Sequence, residues 1–287
     1  DIADSRFVSA TLSDEAVSGA CSPHWQLERQ GSSLTIAHED PNLLVVDYVC
    51  RAGPHDPLFE QAHERHSLSF VRRGAFGCRS MGEHYDLAPG AFFIGAPGDA
   101  YVCTHEHHHA SDECLSFQFT PELADEIAAD DAVWRRVCLP PATELAAVGA
   151  LAQATAEGGT GLSIEEAGLA LASRFVDAAR GQARSRVRPS RGEARRAIEV
   201  ALWMDANAGE QIRLADAARE AELSSFHFLR VFANVLVTTP NRYLIACRLR
   251  RAADLLTRTG CAVTDIALEV GFDDLSNFQR TFKKAAG

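Results

Sequence analysis

The sequence predicts an α+β protein of two domains: an N-terminal antiparallel β-barrel followed by helices, and a C-terminal domain made only of helices. Three observations lead to this prediction. The chain has 287 residues, 46% of them hydrophobic, which exceeds what one hydrophobic core usually serves. Residues from about 34 to 120 alternate short apolar segments with Gly and Pro turns. Two similar helical segments then follow each other near the C-terminus.

Charge is distributed unevenly along the chain, whose net charge is −11. Residues 1–194 contain 15 Lys and Arg against 28 Asp and Glu, whereas residues 195–287 contain 13 against 11. An acidic front half disfavours nonspecific contact with nucleic-acid phosphates, and a mildly basic back half tolerates it. A nucleic-acid contact is therefore expected only in the back half.

Eight cysteines occur in both halves without a regular spacing, which predicts reduced thiols in a cytoplasmic protein rather than a disulfide framework. The chain begins with Asp1 rather than Met, so the question of a preceding targeting segment stays open. Apolar runs such as LLVV at 43–46 and AFFIGA at 91–96 are far shorter than the roughly 20 residues of a membrane helix. We therefore expect no membrane partner.

The first domain is expected to span residues 1–180. Its predicted strands are LLVVDYVC, HSLSFVRRG, YDLAPGAFFIGAPGDAYVC and CLSFQF, which favour a small antiparallel barrel. From Pro121 to about Arg180 the apolar spacing becomes helical. These helices have more apolar positions than packing on one barrel requires, so we expect them to form a homodimer contact.

Residues 181–196, GQARSRVRPSRGEARR, combine Gly, Pro, Ser and clustered Arg with almost no apolar content. Such a composition is typical of an exposed connection between domains. The prediction is a linker at 181–196 and a second domain at 197–287.

An internal duplication dominates the second domain. LADAAREAELSSFHFLRVFA (214–233) aligns with VTDIALEVGFDDLSNFQRTFK (263–283), at an offset of 49 before the turn and 50 after it. Each copy predicts a short helix, a break with a capping residue and a second helix, with one residue inserted in the second turn. Ser224 is the expected cap of the first copy. The buried face of the second helix is expected to carry Phe228 and Phe232 in one copy and Phe278 and Phe282 in the other.

A single helix is predicted between the two copies. TTPNRYLIACRLRRAADLLTRTG has Pro240 at a first helical position and Gly260 just past the end. About 18 residues at 1.5 Å each give a rod of roughly 27 Å. Such a rod could hold two recognition helices about one DNA turn apart.

At this point the sequence resembles the AraC/XylS family of transcription regulators. AREAELSSFHFLRVF, TTPNRYLIACRLRRAADLL and IALEVGFDDLSNFQRTFKK follow that family's paired helix-turn-helix pattern within residues 212–287. Two departures are visible: Val237 stands where the family usually has Gly, and the chain stops at Gly287, before the usual tail of the last helix. The first departure is expected to alter the turn after the recognition helix.

The resemblance also implies DNA-contacting residues. The family's base-reading positions fall on Phe226, Leu229 and Arg230 in the first copy and on Ser276, Gln279 and Arg280 in the second. The arginines are the best candidates, because each offers two donors to guanine O6 and N7; the competing interpretation is an ion pair with a neighbouring Glu. Contacts to the DNA backbone are expected from Ser225, Asn277 and Lys283.

For the front half, the same resemblance implies a cupin-like barrel that senses a signal, followed by dimerising helices. The turn LAPGAFFIGAPG at 87–98 is similar to a cupin turn. Cupin enzymes hold a metal ion with a His-x-His pair, and this pattern is not met here. His63 and His66 are three residues apart and would lie on opposite faces of a strand. We therefore expect no enzyme activity, the alternative being a cupin enzyme fused to a DNA-binding domain.

Residues 103–114, CTHEHHHASDEC, contain four His and three carboxylates between two Cys. If the flanking segments pair as a hairpin, the two thiols lie near each other at its neck. Three interpretations stay open: a solvated loop, a redox pair, or a site for zinc or another soft metal. The metal ligands would be Cys103, His105, His107 and Cys114.

Taken together, these features predict a DNA-binding transcription regulator that responds to a signal in its N-terminal domain, and the resemblance implies that it is an activator. The expected partners are double-stranded DNA, a second copy of the chain, RNA polymerase, and a small-molecule or metal effector of unknown identity. The alternative is a metal- or redox-responsive regulator that uses the loop between Cys103 and Cys114.

Overall fold

A computed structural model of the chain describes residues 32–105, 111–160, 162–181 and 190–286. Its strands are β1 (Ser33–Glu39), β2 (Leu43–Cys50), β3 (Gln61–Ala62), β4 (His66–Arg73), β5 (Phe76–Ser80), β6 (Glu83–Leu87), β7 (Phe92–Gly95), β8 (Ala100–Thr104), β9 (Asp112–Phe119) and β10 (Cys138–Leu139). Its helices are α1 (Pro121–Ile127), α2 (Asp131–Trp134), α3 (Thr143–Ala156), α4 (Ile164–Gly181), α5 (Arg191–Ala206), α6 (Leu214–Glu220), α7 (Ser225–Leu236), α8 (Pro240–Arg258), α9 (Val263–Glu269) and α10 (Leu275–Ala286). Among these described helices, none combines the length and the apolar character needed to cross a lipid bilayer.

The N-terminal strands form two antiparallel sheets. The larger sheet has six strands in the order β1-β2-β9-β4-β7-β10, and the smaller has four in the order β3-β8-β5-β6. The predicted mixture of an antiparallel β region and a helical C-terminal region is confirmed. The predicted closed barrel is not found, because within the described ranges no strand pairing joins the edges of the two sheets.

The larger sheet is the middle of three layers. Leu115, Phe117 and Phe119 of β9 are fully buried in the same apolar cluster as residues of α3 and α4. Cys114, on the opposite face of that strand, packs with Cys78 of the smaller sheet. The central residues of β9, Cys114 to Phe117, are all buried, as expected for a strand that is covered on both faces.

The predicted hairpin between β8 and β9 is wrong. Strand β8 pairs with β3 and β5 of the smaller sheet, where Cys103 lies opposite Cys78. Strand β9 pairs with β2 and β4 of the larger sheet, where Cys114 lies opposite Tyr48 and Val71. Strands β8 and β9 therefore belong to different sheets and do not pair as a hairpin.

The C-terminal helices begin earlier than the sequence analysis expected. Residues 191–196, part of the predicted linker 181–196, form the first turns of α5. The cause is a capping box: the Ser190 hydroxyl accepts a hydrogen bond from the Glu193 backbone N–H at 3.3 Å, and the Glu193 carboxylate accepts one from the Ser190 N–H at 2.9 Å. Of the predicted linker, residues 182–189 lie outside the described ranges.

Helix α3 packs between the N-terminal sheet and the C-terminal helix α8. Ala146 and Ala147 share one buried cluster with Ala246 and Leu249 of α8. On the sheet side, a Cβ at Gly149 would lie 2.8 Å from the ring of Phe70, so only glycine permits this close approach. The apolar residues of α3 are thus buried within the chain, and they do not support the dimer contact that their number suggested.

Ion pairs border this packing. Arg242 of α8 donates to the Glu144 carboxylate of α3 at 3.4 Å, and Arg258 at the end of α8 pairs with Glu157 just after α3. The charges face solvent, so each pair contributes at most about 1 kcal/mol. The apolar contact beneath them is therefore the main attraction between the two regions.

Candidate nucleic-acid interface

The first helix-turn-helix unit consists of α6 and α7. Its turn is residues 221–224, and Ser224 caps α7 by accepting a hydrogen bond from the His227 N–H at 3.3 Å. This confirms the predicted cap. Phe228 and Phe232 are fully buried, with ring centroids 5.3 Å apart, and fix the inner face of α7.

The second unit, α9 and α10, repeats this arrangement. Its turn is residues 270–274, one residue longer than the first, as the change of offset predicted. Asp274 accepts a hydrogen bond from the Asn277 N–H at 2.7 Å, which caps the helix where Ser224 does so in the first unit. Phe278 is buried and Phe282 partly buried, with ring centroids 5.4 Å apart.

Helix α8 joins the two units as one continuous helix of 19 residues, which confirms the predicted rod. Thr239 caps its start by accepting a hydrogen bond from the Arg242 N–H, and Pro240 occupies the first turn. At 1.5 Å per residue the helix is about 28 Å long. The second helix of each unit, α7 and α10, is hereafter the recognition helix.

The predicted DNA-contacting residues lie mostly on the outer faces of the recognition helices. In α7, Ser225, Leu229 and Arg230 are exposed; for Phe226 the structure describes the backbone, which is helical, and not the side chain. The exposed residues of α10 in the predicted set are Ser276, Gln279, Arg280 and Lys283, while Asn277 is half-buried. The predicted DNA-contacting side chains are thus mostly exposed, while the core-packing phenylalanines of the same helices are buried or partly buried.

Arg230 and Arg280 occupy equivalent places in the two recognition helices. Arg280 donates to the Asn277 amide oxygen at 3.1 Å, a neutral partner that leaves the guanidinium charge uncompensated. Ion pairs with a neighbouring Glu were the competing interpretation, yet the part of the chain that the structure describes provides neither arginine with a carboxylate partner. Both cations are available to a ligand outside the protein.

The structure describes three of the four predicted metal ligands, Cys103, His105 and Cys114. Cys103 and Cys114 lie in the interior between the two sheets, and His107 lies outside the described ranges. His105 instead faces Cys50 and Asp112, two residues that the sequence analysis did not assign to a site. No local signal links Cys50 to Asp112, because they meet only through the pairing of β2 with β9.

The interior thiols are unsuited to the redox role that the sequence left open. Burial raises the pKa of Cys103 and of Cys114 well above the usual thiol range, and neighbouring thiol and carboxyl groups raise it further. A thiol with a raised pKa is protonated at neutral pH and reacts slowly in disulfide exchange.

His63 and His66 point in different directions, as their spacing indicated. His63 stacks on Phe93 and Tyr101, whereas His66 packs against Trp134, with ring centroids 5.0 Å apart. The structure therefore does not bring this histidine pair together as metal ligands.

Comparisons with known proteins agree with the geometry of the C-terminal domain. A family model described as a helix-turn-helix domain matches residues 217–287. The transposon Tn10 TetD protein of Escherichia coli is 35% identical over 85 residues, which are 30% of this chain and 62% of TetD. The HTH-type transcriptional activator AarP of Providencia stuartii is 30% identical over 89 residues, 31% of this chain and 66% of AarP. The matched segments span less than two thirds of these relatives.

Two solved structures extend the comparison. A transcriptional regulator from Chromobacterium violaceum, described as containing an AraC-type DNA-binding domain, is 30% identical and covers 33% of this chain and 84% of its own, with a TM-score of 0.31. A cupin superfamily protein from Desulfitobacterium hafniense is 9% identical and covers 31% of this chain and 77% of its own, with a TM-score of 0.27.

The sequence similarity and the two repeated units indicate the same kind of domain. The matched residues include both recognition helices and the whole of α8. Residues 217–287 are therefore a helix-turn-helix domain similar to the domains of AraC-type transcription regulators.

Proposed function

We propose that this chain is a sequence-specific DNA-binding transcription regulator that reads DNA with α7 and α10. The observation that carries the proposal is the exposed arginine at the same place in both recognition helices, Arg230 and Arg280. A rod of about 28 Å between the units is compatible with major grooves that recur about every 34 Å on one face of DNA. Both recognition helices could then bind the same duplex.

Each recognition helix is proposed to combine base readout with backbone contacts. Arg230 and Arg280 would donate in pairs to O6 and N7 of guanine, while Leu229 would contact thymine methyl groups. The remaining proposed base contacts come from Phe226, Ser276 and Gln279. Phosphate contacts, which position the helices without reading sequence, are proposed for Ser225, Asn277 and Lys283.

The N-terminal domain is proposed to sense a signal and pass it to the DNA-binding domain. Activation is the proposed direction, with RNA polymerase as the partner, because AarP is named a transcriptional activator. Regulation is favoured over catalysis because the relatives with named roles include transcriptional regulators. A DNA-binding role is consistent with the cytoplasmic location that the scattered thiols suggested. Transcription in vitro from a promoter carrying the selected binding site tests the direction: the protein should raise the transcript yield.

DNA recognition is tested by selecting a binding site from random duplexes and then measuring affinities of variants. We expect Arg280→Ala to weaken binding to the selected site by about 1–3 kcal/mol and to relax discrimination at one base pair. Arg280→Lys keeps the charge but loses the paired donors, so its affinity for random DNA should stay while its discrimination falls. Lys283→Ala should weaken binding to all sequences about equally and reduce the salt dependence.

Two results would contradict this assignment. Equal losses on selected and random DNA for Arg280→Ala would remove Arg280 from base readout. Failure of the unmodified chain to enrich any sequence would contradict sequence-specific recognition as a whole. Mismatch series at each position of the selected site distinguish the two outcomes.

Dimer formation is proposed through the outer face of α1 and α4, since α3 is buried within the chain. Leu169 of α4 is 47% exposed and borders a groove shared with Leu123 and Ile127 of α1. The full chain is the right sample, because removal of α8 would expose the buried face of α3. Sedimentation should give a dimer at micromolar concentration, and Leu169→Glu should give a monomer. A monomeric unmodified chain would contradict the proposal.

A further inference from the structure

Three segments of the N-terminal domain meet at one end of the two sheets. Cys50 is the last residue of β2, His105 follows β8 of the smaller sheet, and Asp112 is the first residue of β9. Cys50 and Asp112 lie directly opposite each other in the larger sheet. The fold thus brings a thiol, an imidazole and a carboxyl group together from residues up to 62 positions apart.

Distances within this group bring potential ligand atoms of all three residues close together. The Cys50 sulfur lies 3.9 Å from Nε2 of His105, and the Asp112 carboxylate lies 3.5 Å from Nδ1 of the same ring. One ligand atom from each residue can be chosen so that all three lie within 4.8 Å of one another. Two ligands of one tetrahedral zinc ion are about 3.3–3.8 Å apart, given bonds of about 2.0–2.3 Å. The sulfur faces Nε2 and the carboxylate faces Nδ1, and one ion binds only one nitrogen of a ring, so one of these two side chains must reorient to complete the set.

We propose that Cys50, His105 and Asp112 bind one thiophilic divalent metal ion of the zinc class. One sulfur, one nitrogen and one oxygen donor suit a borderline cation such as Zn²⁺, whereas Mg²⁺ and Ca²⁺ prefer sets made only of oxygen. His105 and Asp112 are 8% and 5% exposed, so the surrounding protein shields these two ligands from bulk water, whereas Cys50 is half-buried. The proposed set shares only His105 with the ligands suggested by the sequence.

The competing explanation is an ion pair between His105 and Asp112 without a metal ion. The burial of both residues and the nearby sulfur of Cys50 argue against an ion pair alone. The other group of potential ligands among the described residues is His38, Asp40 and Glu165. There His38 lies 2.9 Å from Asp40 and 3.3 Å from Glu165, and the carboxylates face solvent. That group lacks sulfur and is an ordinary surface ion cluster, which makes it a suitable control.

The test uses the full chain, stripped of metal and titrated with Zn²⁺ and with Co²⁺. We expect one equivalent of either ion to bind, and Co²⁺ to show the absorption of thiolate-to-metal charge transfer. Cys50→Ser should abolish that absorption, and His105→Gln and Asp112→Asn should each weaken binding at least about tenfold. His38→Gln, at a half-buried position elsewhere, and Cys261→Ser, at an exposed one, should leave both ions bound as in the unmodified chain.

A second measurement needs no variant and so does not depend on the folding of mutants. Alkylation of the native chain, mapped by mass spectrometry, should label Cys50 in the absence of Zn²⁺ and spare it in its presence. Cys261, which is exposed, should be labelled in both samples.

The proposal is overturned if Zn²⁺ fails to protect Cys50, or if the absorption survives Cys50→Ser but is lost in Cys114→Ser. The second outcome would assign the ion to the interior thiols instead. Because the site lies in the N-terminal domain, DNA binding by the metal-free chain is measured separately, and its loss or retention does not decide the metal proposal.

Discussion

Val237 ends recognition helix α7 in a left-handed backbone conformation, with φ 52° and ψ 25°. For a β-branched residue this conformation costs about 1–2 kcal/mol, which is why glycine usually occupies such positions. The side chain is 42% exposed, so its removal sacrifices little burial. We expect Val237→Gly to raise the free energy of unfolding by about 1 kcal/mol, measured by urea denaturation. Val237→Ala should gain less, because its Cβ stays; no gain from glycine would show that the strain is relieved in another way.

His63 is the residue from which we expect a pH dependence of stability. Burial lowers the pKa of His63 to about 4, against a weaker opposing effect of Asp99. The folded state therefore binds a proton less readily than the unfolded state, whose histidines titrate near 6.5. Stability should be complete above pH 6.5 and should fall as the pH drops towards 4, by less than about 1.4 kcal/mol per pH unit.

The variant His63→Gln isolates this contribution. Glutamine removes the titrating ring while keeping a group able to accept the hydrogen bond of Ser67, which lies 2.9 Å from Nδ1 of His63. We expect the slope of stability against pH between 6.5 and 4 to become shallower in this variant and to be unchanged in His55→Gln, at an exposed position. Identical slopes in all three proteins would contradict the assignment to His63.

At the scale of elements, the two turns of the duplicated units place a residue with positive φ at the same position. Glu222 has φ 54° in the first turn and Gly271 has φ 92° in the second. At Gly271 a Cβ would also lie 2.8 Å from the guanidinium of Arg248, which donates to the carbonyl of Ala208 at 2.9 Å. Glycine at 271 thus leaves room for Arg248 of α8 to form its hydrogen bond with Ala208, which follows α5.

We expect Gly271→Ala to destabilise the chain by more than about 1 kcal/mol, because it adds both backbone strain and a clash with Arg248. Thermal denaturation of the full chain measures the effect. The matched control is Gly260→Ala, where a Cβ would meet no atom within 4 Å and φ is not positive. Equal stabilities for the two variants would contradict this account of the turn.

Elements set by local signals could be predicted, whereas strand partners could not. The helices of both units, the cap at Ser224 and the extra residue in the second turn follow from apolar spacing and capping residues within a few positions. The sequence also contains the capping-box residues Ser190 and Glu193. They indicate a helix that begins at Arg191, and hence a linker that ends before this residue. By contrast, β9 pairs with β2 and β4, far away in sequence, and only that pairing brings Asp112 to Cys50.

At the scale of the whole molecule, the contact between α3 and α8 should make the two domains unfold together. Ala147 is 4% exposed in this contact, so Ala147→Glu would bury a charge without a partner. We expect a loss of about 3 kcal/mol and the splitting of one calorimetric transition into two. Ala170→Glu makes the same change at an exposed position of α4 and should leave one transition. A single, unshifted transition in Ala147→Glu would show that the domains are not coupled through this contact.

The same contact limits how far the DNA-reading half can be treated as an interchangeable module. If residues 190–286 were fused to an unrelated sensor domain, Ala246 and Leu249 of α8 would be exposed to solvent. Helix α3, which covers them, belongs to the N-terminal part of the chain. Any recipient would need a helix of its own with residues as small as Ala146 and Ala147 to lie as close to that rod. Whether two domains are compatible therefore depends on the shape of the contact between α3 and α8. We expect chimeras to fold when they include α3 together with the DNA-binding domain.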